Sequence, residues 1–169
     1  MIIEVGNISI IGIIEVAGII TIILSLFFVG YEINQANRIA MVNSEQAIWG
    51  NFGTINELIM SNTEYADLMH ELTNEDAEFI EGDLEKVRAF VKRMANVWSA
   101  AENSYNNGML TEATYKILYD DLRSLLITYP GSRATWQELL DIYPNLNSGF
   151  FGYSRELLNE LELRDRLEN

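Results

Sequence analysis

The 169 residues predict an all-α fold: one N-terminal transmembrane helix, continuous with a long juxtamembrane helix, followed by a small helical bundle. Three observations carry this. An uninterrupted apolar run occupies the N-terminal region, apolar residues recur at spacings of three and four through the remainder, and no stretch alternates at period two between hairpin turns. The expected divisions are an anchor over 1–30, a juxtamembrane helix over 31–62 and a water-exposed helical domain over 63–169.

The anchor reads ISIIGIIEVAGIITIILSLFFV from Ile8 to Val29. As a helix it extends roughly 33 Å, enough for a bilayer core. The preceding MIIEVGN has no basic n-region, and the run is too long for a signal-peptide core, so an uncleaved anchor is expected rather than a leader. Phe27, Phe28 and Tyr31 fit an interfacial aromatic belt, and Arg38 is the only base closely following the span, which orients the C-terminal part weakly toward the cytoplasm.

Glu15 lies near the middle of the run, where an ionised carboxylate costs at least a few kcal/mol, so it needs a proton, a partner or a polar surround. Gly12 and Gly18 flank it three residues either side, and Ala17, Thr21 and Ser25 make a second small row at spacing four. Such faces let helices approach closely. Gly12, Glu15, Gly18, Thr21 and Ser25 are therefore the candidate intramembrane packing set, with a hydrogen bond from Glu15 to a neighbouring helix as the expected role and a proton or cation site in an oligomer as the alternative.

After Gly30, Ile33, Ala36, Ala40, Met41, Ala47, Ile48, Phe52, Ile55, Leu58 and Ile59 keep the helical spacing, with Gly50 and Gly53 as the places for a kink or break. Ser61-Asn62-Thr63 stops this helix and caps a short one, TEYADLMHEL. Thr73-Asn-Glu-Asp76 resembles a capping box and predicts the start of a long helix whose stripe runs from Phe79 through Trp98 to Tyr105. Asn106-Asn107-Gly108 ends it. Thr111 caps the next helix, which carries Leu118, Leu122, Leu125 and Leu126 and stops at Tyr129-Pro130-Gly131. Ser132 starts a short helix with Trp136, Leu139 and Leu140 that ends before Pro144. Asn145 to Gly152 reads as a loop, and Ser154 as the start of a last helix with Leu157, Leu158 and Leu161.

A mean hydropathy of +0.03 hides a sharp division of charge. All 11 Lys and Arg lie between Arg38 and Arg166, whereas only Glu4 and Glu15 of the 25 acids precede residue 31, so the remainder carries about −12. An acidic surface excludes a nucleic-acid binder that works by neutralising phosphates. The absence of Cys excludes disulfides, thiolate zinc sites and a Cys nucleophile. His70 is the only histidine; with Asp67 it offers two metal ligands at most, and no G-x-S-x-G, Walker loop or G-x-G-x-x-G is present. No cofactor, metal or catalytic residue is expected, and the juxtamembrane segment lacks a polybasic lipid-binding cluster.

LSLFFVGYEINQANRIAMVNSEQ, AENSYNNGMLTEATYKILYDDLRSLL and YPGSRATWQEL resemble a large group of bacterial single-pass membrane proteins. Their form is an apolar span closed by "I-x-Q-N", a helical region, a "Y-x-x-G-x-L" turn and a "P-G-x-R-x-x-W" turn. The resemblance implies a bacterial inner (cytoplasmic) membrane protein and no established activity. Asn34 and Asn37 stand where the group carries bases. Glu102 and Arg133 match polar positions within otherwise apolar motifs, which suggests an ion pair joining two helices, against the alternative of two separately solvated charges.

The expected function is a non-enzymatic, membrane-anchored interaction protein. It associates with lipid and with itself as a homo-oligomer, or serves as an accessory subunit of a larger membrane complex. The alternatives are an oligomeric channel or ion-coupling protein using Glu15, and a tethered enzyme of unrecognised class.

Overall fold

The computed structural model describes residues 10–168, with side chains from 12 to 167. The N-terminal MIIEVGN and the first residues of the expected span, Ile8 and Ser9, lie outside the described residues. Within them the chain is all-α, with no strand. The helices are α1 (Ile10–Ser61), α2 (Thr63–Glu71), α3 (Glu81–Asn106), α4 (Glu112–Thr128), α5 (Arg133–Ile142) and α6 (Gly149–Glu168), with a 3-10 turn at Pro130–Ser132. The chain divides into two units, Met1–Ala40 and Met41–Asn169, and α1 contributes residues to both.

In the first unit α1 is the one helix among the described residues long and apolar enough to cross a membrane. No part of its most apolar 18-residue window is buried. Ile14, Leu24, Leu26, Phe27 and Phe28 are all more than 60% exposed.

The second unit builds its own core. Ile48 and Ile55 of α1 are 4% exposed and join a cluster with Val87, Val91, Trp98 and Ala101 of α3, Leu118, Leu122 and Leu126 of α4, Trp136 and Leu140 of α5, and Leu157 and Leu161 of α6. Each fully buried Leu or Val adds about 1.5–3 kcal/mol of transfer free energy. α3 packs on α4, α5 and α6, which makes it the central element. Trp98 sits in its C-terminal half, with ring centroids 5.6 Å from Trp136, 6.2 Å from Phe52 and 6.3 Å from Phe150. Gly50 and Gly53 do not break α1; Thr54 Oγ1 and Asn51 Nδ2 donate back to the Gly50 and Ala47 carbonyls and the helix continues to Ser61.

Two boundaries differ from the sequence reading. The expected capping box at 73–76 forms no helix, and α3 starts at Glu81. Local side-chain bonds win there: Thr73 Oγ1 donates to His70 O, and Asn74 Oδ1 accepts the Asp76 N–H. Gly131 holds the resulting turn close. Its N–H donates to Leu72 O at 3.0 Å, and a Cβ at Gly131 would lie 2.6 Å from Asn74 O. At the other end, α6 starts at Gly149, five residues before Ser154.

The remaining caps follow the sequence. Asn62 Oδ1 accepts Glu64 N–H, and Thr111 Oγ1 accepts Thr114 N–H. Gly108, at φ 69°, closes α3 with Gly108 N–H to Tyr105 O and Met109 N–H to Ser104 O, the paired bonds of a Schellman turn.

Candidate functional site

On the apolar part of α1, Thr21 Oγ1 donates to Ala17 O and Ser25 Oγ to Thr21 O, both at 2.8 Å. These hydroxyls are therefore satisfied inside their own helix. A Cβ at Gly12 or Gly18 would meet nothing within 4 Å. Glu15 is exposed and has no hydrogen-bond or ionic partner among the described residues. Of the three polar side chains between Gly12 and Val29, the carboxylate alone is left with unmet hydrogen-bonding capacity.

The ion pair between Glu102 and Arg133 does not form. Arg133 instead reaches α6, with Nη1 2.6 Å from Asp165 Oδ2 and 3.7 Å from Glu75 Oε1, while its Nε donates to Leu126 O at 2.9 Å. Both Arg133 and Asp165 are more than four-fifths buried at the side chain. The position was legible as a cation joining helices, but its acid lies 32 residues downstream, where no local pattern announces it.

Glu102 serves a different helix end. Its Oε2 accepts the Phe150 N–H at 3.2 Å, so α3 supplies the N-cap of α6. Gly149, at φ 57°, lies so close that a Cβ there would overlap the Glu102 carboxylate. This contact between distant residues explains why α6 begins earlier than its own sequence indicates. A carboxylate suits the position because the first N–H groups of a helix are unpaired and carry partial positive charge.

The same device recurs at α4. Glu45 Oε1 of α1 accepts from Thr114 Oγ1 at 2.8 Å and Thr111 Oγ1 at 3.1 Å. The Thr114 bond, with smaller help from Thr111, holds the Glu45 carboxyl below the usual carboxylate range. At the opposite helix pole, Arg155 Nη2 donates to Leu140 O and Tyr143 O at the end of α5. Acids thus meet helix starts and guanidinium groups meet helix ends, each from another element. Tyr115 stacks on Tyr105 at 4.1 Å and shares a 3.0 Å bond with the Tyr119 hydroxyl; burial, then that bond, pushes its phenol far above the ordinary range.

A groove of about 620 Å³ beside Arg133 is lined by Glu75, Gln137, Glu162, Asp165 and Arg166 among others. Arg133 and Arg166 there are already bonded to carboxylates. Among the described residues no group of three or more His, Asp or Glu is arranged to hold a metal ion, and exposed His70 donates no side-chain bond. Comparison with protein-family models, curated proteins and solved structures finds no match to this chain.

Proposed function

We propose that the protein is a membrane-anchored helical interaction protein that self-associates through its span. A place as accessory subunit in a larger membrane complex is the same reading with a different neighbour. The observation that carries it is Glu15: the one span side chain between Gly12 and Val29 with unmet polar capacity, on a segment whose apolar side chains are uncovered among the described residues. Lipid satisfies the apolar faces but cannot satisfy a carboxyl group, so a polar group from a neighbouring helix is the economical partner. Gly12 and Gly18 on the same side leave room for that helix to approach.

Native mass spectrometry of the full chain in mild detergent tests this. Wild type is expected to be oligomeric, Glu15→Gln to stay assembled because an amide also bonds across helices, and Glu15→Ala and Gly18→Leu to shift toward monomer. A monomeric wild type with no co-purifying partner contradicts the reading. The scarcity of bases near the span supports a C-terminal part on the cytoplasmic side only through Arg38. Activity of a periplasm-dependent reporter fused to the C-terminus would reverse that orientation.

A further inference from the structure

Within 41–169, every base but two is engaged. Lys86, Arg88, Lys116, Arg123, Arg133, Arg164 and Arg166 each pair with a carboxylate, and Arg155 bonds two carbonyls. The exceptions, Lys92 and Arg93, are neighbours on α3, exposed, and without an ionic or hydrogen-bond partner among the described residues. In a chain of net charge −14, two adjacent cations that attract no acid from their own fold stand out.

They line one groove of about 410 Å³. Its wall on α3 consists of two rows at spacing four, Ala89-Arg93-Val97 and Lys92-Asn96-Ala100, and Asn51 of α1 contributes from the other side. Rows of this spacing are the ridges between which a packed helix seats its own ridge. Small Ala89 and Ala100 leave the two ends of an approximately 16 Å stretch open to close approach, and no acid lines the groove.

We propose that this groove is a docking surface for an acidic amphipathic helix of a partner protein, its carboxylates meeting Lys92 and Arg93 and its small or apolar residues lying over Ala89 and Ala100. The proposal rests on the reading of the chain as an interaction protein and names the chemistry of one partner. Helix-in-groove recognition supplies the geometry, and charge complementarity supplies the choice of partner.

The test uses the full chain in an uncharged detergent and a fluorescent, end-capped helical peptide carrying Glu at every fourth position, read by anisotropy. Saturable, salt-sensitive binding is expected, weakened at least about tenfold by Lys92→Glu/Arg93→Glu, less by Lys92→Ala/Arg93→Ala, and unchanged by Lys116→Glu, which alters net charge elsewhere. Circular dichroism confirms that each variant is folded. Glu15→Ala should leave peptide binding intact, so failure of span association and failure of this site are read separately. Absence of saturable binding, or equal binding by wild type and both groove variants, overturns the proposal. It is also overturned if the charge reversal dissolves an oligomer of the chain while the peptide does not bind.

Discussion

The apolar first part of α1 and the helical unit of 41–169 use the same apolar residues to opposite ends. Ile14 and Phe28 are each 66% exposed, whereas Ile48 and Ile55, on the same helix, are 4% exposed. What differs is the environment available to each. In 41–169, α3 to α6 supply a covering for the apolar stripe, together with the charged side chains that cap neighbouring helix ends. In the first unit nothing among the described residues covers the apolar faces, and there Glu15 has no counterpart to Asp165 or Phe150 N–H. A buried group whose partners are all internal stabilises a fold, while a polar group without one adds nothing to it.

The contrast can be broken hardest at Trp98. Trp98→Ala should lower the stability of the helical unit by about 3–5 kcal/mol in a denaturant melt followed by circular dichroism, whereas Phe28→Ala should leave that transition where it is. Gly149→Ala comes next, at roughly 2–4 kcal/mol, because it adds a Cβ against the Glu102 carboxylate at a positive φ. Combining it with Glu102→Ala should cost less than the two separate losses summed, since the overlap disappears; strict additivity in the double-mutant cycle would argue against the contact.

Asp165→Ala leaves the largely buried Arg133 side chain short of its nearest carboxylate and should cost about 1–3 kcal/mol. Glu102→Gln keeps an acceptor for Phe150 N–H and should melt close to wild type. Comparable losses from Glu102→Gln and Asp165→Ala would undo the assignment of these partners. The smallest effect is expected at Glu45, where Ala should cost under about 1 kcal/mol. Its folded-state carboxyl lies below the ordinary value, so the cap is fully made above the usual carboxylate range and lost as pH falls through the lowered value. A wild-type stability profile that falls on the acid side less steeply in Glu45→Ala would show it.

Helix identity was legible wherever the apolar spacing was sustained, as in the stripes around Val91 and Leu122, and at caps whose partners are local, such as Asn62, Thr111 and Gly108. It failed where tertiary partners decide. The start of α6 depends on Glu102, 48 residues away, and the non-helical turn after Leu72 depends on Gly131. Glu15 and its flanking glycines draw attention in the sequence because a charge in an apolar run stands out in one dimension, yet no second helix covers them among the described residues. The partner of Arg133 could not, because Asp165 is one acid among many in an acidic chain. The Lys92–Arg93 groove was missed for the same reason in reverse: its signal is the absence of partners, which only the folded arrangement displays.

The absence of Cys makes the central claim directly accessible, since each introduced Cys is the only one in the chain. Single Cys substitutions from Ile13 to Val42 would be probed in intact membranes with a membrane-impermeant maleimide, before and after solubilisation. A bilayer-embedded helix predicts a continuous protected stretch of roughly 20 residues ending near Tyr31, with full labelling at Val42 in opened membranes. Labelling of Ile19, Ile23 and Phe27 at the same rate as Val42 in opened membranes would contradict it, because these side chains would then face water rather than lipid or a neighbouring helix.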